Sequence, residues 1–281
     1  MRTLPLPAIA SADLLTACID GVSDAAKAAR LRAASAAILA AAHGFDQNAR
    51  ARTLHAVTRV QGVGAADRDD LQGLYKDQMS SQRGSARAYY DTIRNSAPHG
   101  KCPLCGVGMV RTLDHHLPKS HYADLSVCPA NLIPACDFCQ AGKLAKYPNT
   151  AGEQTLHPYY DDYGAQQWIF AALDTAGPPA LMFRVDAPRV WQPADRERVQ
   201  RHFDVFKLGH VYTANANDDL SVLRSRLEGL AAAGGPAAVF AYLDEERRRH
   251  EGRLNSWQHI TYQTLAAHGG FVNGGWAGIS I

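Results

Sequence analysis

Residues 102–143 read CPLCGVGMVRTLDHHLPKSHYADLSVCPANLIPACDFCQAGK, and this stretch decides the fold. It opens with Cys102-Pro-Leu-Cys105 and closes with Cys136-Asp-Phe-Cys139, two Cys-x-x-Cys pairs about thirty residues apart. A Cys-x-x-Cys turn presents two thiolates to one ion, and two such turns complete a tetrahedral four-thiolate site. A lone pair would equally suit a redox couple; two pairs at this spacing predict structural Zn²⁺. Gly106, directly after the first pair, suits a knuckle-type turn. Five of the six cysteines lie between Cys102 and Cys139, and such clustering points to metal binding more than to a disulfide framework. Cys128 lacks a partner at ligand spacing and is expected to be a buried free thiol.

Working outward, the chain of 281 residues is 46% hydrophobic and 20% charged, the composition of an ordinary soluble protein with a sizeable core. No apolar run approaches the roughly 20 residues that span a bilayer, and Met1 to Pro7 has no signal-like apolar stretch. These features predict a cytoplasmic protein with no membrane partner. The net charge of +2 is too small to indicate nucleic acid by itself. Local basic clusters are more telling: Arg83, Arg87, Arg94, Lys101, Arg111, Lys119, Lys143 and Lys146 flank or enter the cysteine segment, where phosphates could be neutralised. Arg247, Arg248, Arg249 and Arg253 are instead expected on a solvated helix face balanced by Asp244, Glu245 and Glu246.

Before the cysteines, the pattern predicts helix over 11–60 with a stop at His43-Gly44, a flexible break at Gly62-Val63-Gly64, a helix capped by Asp67 to Asp70 and running to Met79, and a third over Ser85–Ala97. After them, Leu181–Val185 reads as a strand, followed by helices over Asp195–Phe206, Asp218–Leu230 and Pro236–Ala267. The expected organisation is a helical region 1–95, a metal-stapled core 96–160 and a mainly helical region 161–281 packed on it.

Between the cysteine pairs stands Asp114-His115-His116-Leu117-Pro118, and Asn131-Leu132 follows before Cys136. A zinc knuckle, Asp-His-x-x-Pro, and Asn-Leu ahead of a second Cys-x-x-Cys resemble the HNH (ββα-metal, His-Me finger) endonucleases over Cys102 to Lys143. The resemblance implies an α+β fold, a mainly helical protein around a small zinc-stapled ββα-metal core, because so small a unit cannot hold itself by apolar burial. It implies a metal-dependent nuclease that hydrolyses DNA phosphodiesters. In that scheme His115 is the general base, Asp114 a ligand of a catalytic Mg²⁺ or Mn²⁺, and Asn131 the residue that orients the hairpin or the histidine; Arg111, Lys119 and Lys143 would hold phosphates.

One position departs from the family. Gln140 stands where His or Asn usually follows the last cysteine as second ligand of the catalytic ion. Gln140 itself or His157 would have to complete that site, although His157 equally suits a loop-packing role. His116 is expected on the other face of its strand, since neighbours alternate. Leu156-His-Pro-Tyr-Tyr-Asp161, Tyr90-Asp91-x-Ile93 and Tyr262-Gln-x-Leu265 with Phe271 extend the resemblance to HNH nucleases of bacterial anti-phage defence, such as the nuclease subunit of the Septu system, which works beside an ATPase. A separate ATPase partner is therefore implied, and the sequence contains no Gly-x-x-x-x-Gly-Lys-Ser/Thr loop of its own. Two other function classes stay open: a zinc-stabilised nucleic-acid-binding or scaffolding module with a degenerate site, and an RNA-directed nuclease.

Overall fold

The N-terminal half begins with two helices that pack as a pair. In the computed structural model, which describes residues 2–279, α1 spans Ser11–Asp20 and α2 spans Ala25–Arg50. Asp24 caps α2, its carboxylate accepting from the Lys27 N–H at 3.0 Å. The expected stop at His43-Gly44 is not there. Ala42, Phe45 and Ala49 continue the buried stripe through Gly44, and burial of Phe45 outweighs the ~1 kcal/mol that a helical glycine costs.

A second helical pair forms the next layer. Asp67 caps α3 (Arg68–Gly73), accepting from the Asp70 N–H at 2.8 Å, as the sequence predicts. The chain then continues as a π-helical turn, Leu74–Ser80, and α4 follows at Arg87–Asn95. Buried Asp70 takes a bidentate pair from Arg30 at 2.9 and 3.1 Å, fixing α3 on α2. The Arg30 guanidinium holds the Asp70 carboxyl below the usual carboxylate range.

The cysteine segment supplies a short antiparallel ladder and a helix. Strand β1 (Thr112–His115) pairs with β2 (Leu132–Ala135) in the register Thr112↔Ala135 to His115↔Leu132, and α5 (Asp137–Lys143) follows directly. This ladder shares the helices' core: Leu113 and Leu132 are buried in one cluster with Leu14, Leu31, Leu71, Leu74, Met79 and Ile93. Residues 1–95 and 96–160 therefore do not divide into two bodies; Arg2–Asp161 forms one compact unit. The physical reason is the size of the ladder: two four-residue strands expose too much apolar surface to be covered by one seven-residue helix.

The second unit begins at Asp162. Its sheet is a hairpin of β3 (Ile169–Asp174) and β4 (Ala180–Val185), in which Leu181 and Phe183 are buried while Met182 between them is exposed. β3 is absent from the sequence reading because Phe170-Ala-Ala-Leu173 lacks β-branched residues. Helices α6 (Pro193–Val205), α7 (Leu208–Arg249) and α8 (Trp257–Ala267) complete the unit. The break expected between Leu230 and Pro236 is a kink within α7, where Gly235 adopts φ +65° directly before Pro236. The helix expected over Pro236–Ala267 is in turn broken after Arg249, and Ser256 caps α8 afresh. Arg247 and Arg248 pair with Asp244, and Arg249 with Glu245 and Glu246, so these three are neutralised within their own helix as expected, whereas Arg253 lies beyond the helix in the turn Glu251–Arg253. Among the described residues no helix is long and apolar enough to cross a membrane.

Candidate metal centre and adjoining cleft

The four predicted sulfurs converge. Cys102, Cys105, Cys136 and Cys139 are all buried and their Sγ atoms lie within 4.8 Å of one another, with Cys105 and Cys136 at 3.9 Å. Tetrahedral zinc with bonds of about 2.3 Å requires sulfurs about 3.8 Å apart, so the donor set fits one Zn²⁺. The first knuckle is built by backbone bonds: Gly106 N–H donates to the Cys102 carbonyl at 2.7 Å and Cys102 N–H to the Gly108 carbonyl at 2.8 Å. Gly106 sits at φ +73°, where glycine is favoured. Gly108 is required by space, since a Cβ there would lie 2.7 Å from the Cys136 sulfur. The Gly108 N–H also donates to Cys105 Sγ at 3.3 Å. Hydrogen bonds among the four thiols lower Cys105 and Cys136 and raise Cys102 and Cys139, so the sulfurs lie close enough to share protons. Cys18 and Cys128 are the inert contrast, buried thiols that desolvation pushes up to about 12.

Beside this centre, a cleft of about 410 Å³ opens on β1. Asp114, His115, Lys119 and Gln140 line it, and Gln72, Tyr75, Ser80 and Tyr90 of the helical layer form the facing wall. His115 Nε2 lies 2.9 Å from the Ser126 carbonyl. A carbonyl only accepts, so Nε2 carries the proton and Nδ1 keeps the lone pair. Burial pushes His115 down to about 3, and the imidazole is neutral across the physiological range. The Tyr75 ring meets it edge-on at 4.5 Å.

Lys143 differs from its expected role. It is 3% exposed; its ammonium donates to the His115 carbonyl at 2.5 Å and lies 3.3 Å from Asp114 Oδ2. A buried ammonium held this way cannot reach a phosphate on the surface. Burial pushes both partners toward neutrality, raising Asp114 and lowering Lys143, and their mutual attraction opposes this. Lys119 does line the cleft, with its ammonium 5.6 Å from the Tyr75 ring centre. Arg111 lies outside it, paired at the surface with Asp137 at 3.2 Å.

Asn131 does not line the cleft. It is fully buried, accepts from the Leu117 N–H at 2.7 Å, and donates to the carbonyls of Leu117 (3.0 Å) and Leu125 (3.2 Å). It therefore fixes the turn that leaves His115 and His116. His157 is likewise no part of the Asp114 cleft. Its ring packs 4.3 Å from His116 and beside Phe45, Tyr159 and Tyr160. The block around it is a strut: Tyr160 donates to Asp46 on α2 at 2.7 Å and Tyr159 to the Leu132 carbonyl on β2 at 2.7 Å. His116 lies on this side and does not line the cleft; it follows the last residue of β1, so the turn that Asn131 holds places it, and not the strand alternation expected from the sequence. Of the residues expected to hold a divalent cation, Asp114 and Gln140 line the cleft and His157 does not.

Tyr75, Gln72 and Ser80 went unidentified in the sequence. No motif marks them, and their approach to residues about forty positions later arises from tertiary packing. The one local hint is the π-helical turn that carries Tyr75 and Ser80, a distortion that recurs at functional sites.

What these elements define is a cluster of four buried cysteines that could hold one metal ion, adjoining a cleft that presents a carboxylate and a neutral imidazole. Over its length the chain is similar to Protein ea31 of Escherichia phage lambda, at 28% identity over 305 residues covering 98% of this chain and 100% of that protein. No protein-family model and no solved structure matches the chain.

Proposed function

We propose that the Arg2–Asp161 unit contains a zinc-stapled HNH-type core and that the protein hydrolyses phosphodiester bonds of DNA. The observation that carries this reading is the joint placement of Asp114 and His115 on β1, in one cleft, with β2 and α5 tied to the preceding knuckle by four converging thiols.

Phosphodiester hydrolysis needs a base for the attacking water and positive charge for the phosphorane. His115 supplies the base: Nε2–H is committed to the Ser126 carbonyl, which fixes the tautomer and leaves Nδ1 to take the proton. Lys119 at the cleft wall draws the phosphate. A bound Mg²⁺ or Mn²⁺, held by Asp114 and Gln140, would neutralise the developing charge. The low basicity of buried His115 means that proton transfer becomes effective only where substrate charge in the cleft raises it. Any ATP hydrolysis coupled to cleavage belongs to a partner subunit.

A second reading is favoured by Lys143. Its pairing with Asp114, together with Gln140 in place of His or Asn, also suits a zinc-stabilised nucleic-acid-binding module without turnover. Nicking of supercoiled plasmid by the zinc-loaded chain, with Mg²⁺ or Mn²⁺ and with RNA in parallel, separates these readings. Metal-stimulated nicking lost in Asp114→Asn supports the nuclease; DNA retention with no turnover in either metal supports the binding module; cleavage confined to RNA would redirect the substrate.

A further inference from the structure

The strand carrying Asp114 and His115 pairs with one neighbour, β2, among the described residues, so its other edge needs partners from side chains. Leu113 and His115 stand two positions apart and point their carbonyls to the same edge. Two donors from different parts of the chain meet them. The Tyr75 hydroxyl donates to the Leu113 carbonyl at 3.1 Å, and the Lys143 ammonium to the His115 carbonyl at 2.5 Å. The same two side chains touch the two functional groups: the Tyr75 ring lies 4.5 Å from the His115 ring, and the Lys143 ammonium 3.3 Å from Asp114.

We propose that Tyr75 is a positioning residue for His115, closing with Lys143 a two-sided clamp on the open edge of β1. The inference rests on the nuclease reading for its kinetic consequence, while its structural content stands apart from it. Tyr75 reaches the strand because the Leu74–Ser80 turn is π-helical; the wider turn places Tyr75 and Ser80 together on the cleft wall. Gln72, on the preceding helix α3, donates to the Lys119 carbonyl at 2.8 Å and so ties that helix to the residue on the other lip of the cleft. The His115 ring is thereby confined between the Ser126 carbonyl, which takes Nε2–H, and the Tyr75 ring, which blocks rotation toward the helical layer. Without the ring, the imidazole gains a second orientation, in which Nδ1 is no longer held in one place. Misplacement of a reacting group by about 1 Å costs about 100-fold in rate.

The test uses the full, zinc-loaded chain with Tyr75→Phe and Tyr75→Leu, labelled with ¹⁵N-histidine. The His115 signals are assigned by their disappearance in His115→Asn. We expect wild type and Tyr75→Phe to show one Nε2–H tautomer, and Tyr75→Leu to show averaged ring nitrogens. In cleavage assays well below the unfolding temperature, Tyr75→Leu should lose about 100-fold in kcat with KM within about twofold, and Tyr75→Phe should fall between it and wild type. If the wild type cleaves no nucleic acid yet Tyr75→Leu alters the His115 signals, the nuclease reading fails and the clamp stands. Unchanged His115 signals in Tyr75→Leu overturn the clamp, including when kcat falls, because the effect would then not pass through His115.

Discussion

Replacing Asn131 by Ala tests how the turn beyond His115 is held. Asn131 is fully buried, and its amide answers three backbone groups: the N–H and carbonyl of Leu117 and the carbonyl of Leu125. Alanine supplies none of these bonds and leaves a space too small and too enclosed to satisfy all three with water. Each buried polar group left without a partner costs about 1–3 kcal/mol, and partial relaxation brings the total to about 3–5 kcal/mol. For a body of this size, ~1 kcal/mol shifts the melting temperature by about 2–4 °C, so a fall of roughly 6–20 °C is expected. Asn131→Asp is the control. It keeps the acceptor for Leu117 N–H but turns a carboxylate oxygen toward two carbonyls, and it should destabilise at least as much above pH 5. Urea unfolding followed by fluorescence, with zinc content measured alongside, reads the effect. A loss of less than ~1 kcal/mol in Asn131→Ala would refute the assignment of Asn131 as the structural pin of this turn.

Three further outcomes follow from particular residues. Asp124 is buried with Oδ1 unpartnered, and desolvation raises its carboxyl from 3.8 to about 6. The unfolded chain loses this proton first, so the folded state's advantage is full below pH 3.8 and is lost as pH rises through 6. Asp124→Asn should therefore stabilise by about 2–3 kcal/mol at pH 7 and hardly at all at pH 4; equal effects at both pH values would contradict it. Leu144 holds φ +51° at the cleft lip while 68% exposed, so Leu144→Gly should stabilise by about 1 kcal/mol, and a destabilised variant would show that its side chain is packed. His157→Ala should weaken the strut between α2 and β2, lowering stability by ~2 kcal/mol, while the divalent-metal concentration for half-maximal cleavage stays unchanged; a raised metal requirement would restore His157 as a ligand.

The metal centre was legible because its determinants are local. Each Cys-x-x-Cys turn places two sulfurs by itself, and Gly106 and Gly108 mark the backbone that permits it. Asp114 and His115 were legible as neighbours on a strand, whereas His116 lies just beyond that strand and its direction is set by the turn. Lys143 was misread because charge in a sequence does not reveal burial: its four-carbon stem carries the ammonium back to a strand 28 positions earlier. Tyr75 was missed for the same reason in reverse, since a tyrosine in a helical stretch reads as core until the packing partner is known. The helix through Gly44 and the kink at Gly235 show one limit of punctuation by glycine. At Gly44 a buried stripe continues and overrides the signal, whereas at Gly235 a following proline removes the alternative.

The most direct test of the nuclease account is chemical rescue at His115. Single-turnover cleavage of a DNA duplex by zinc-loaded wild type, His115→Ala and His115→Ala with added imidazole isolates the proton acceptor from fold and metal. We expect His115→Ala to keep its zinc and remain folded, with a melting temperature lowered by about 4–8 °C for the ~2 kcal/mol that truncation of a buried side chain costs, to lose about 100-fold or more in rate, and to recover in proportion to the neutral imidazole supplied. Cleavage by His115→Ala at the wild-type rate, with zinc retained and no response to imidazole, would contradict the account.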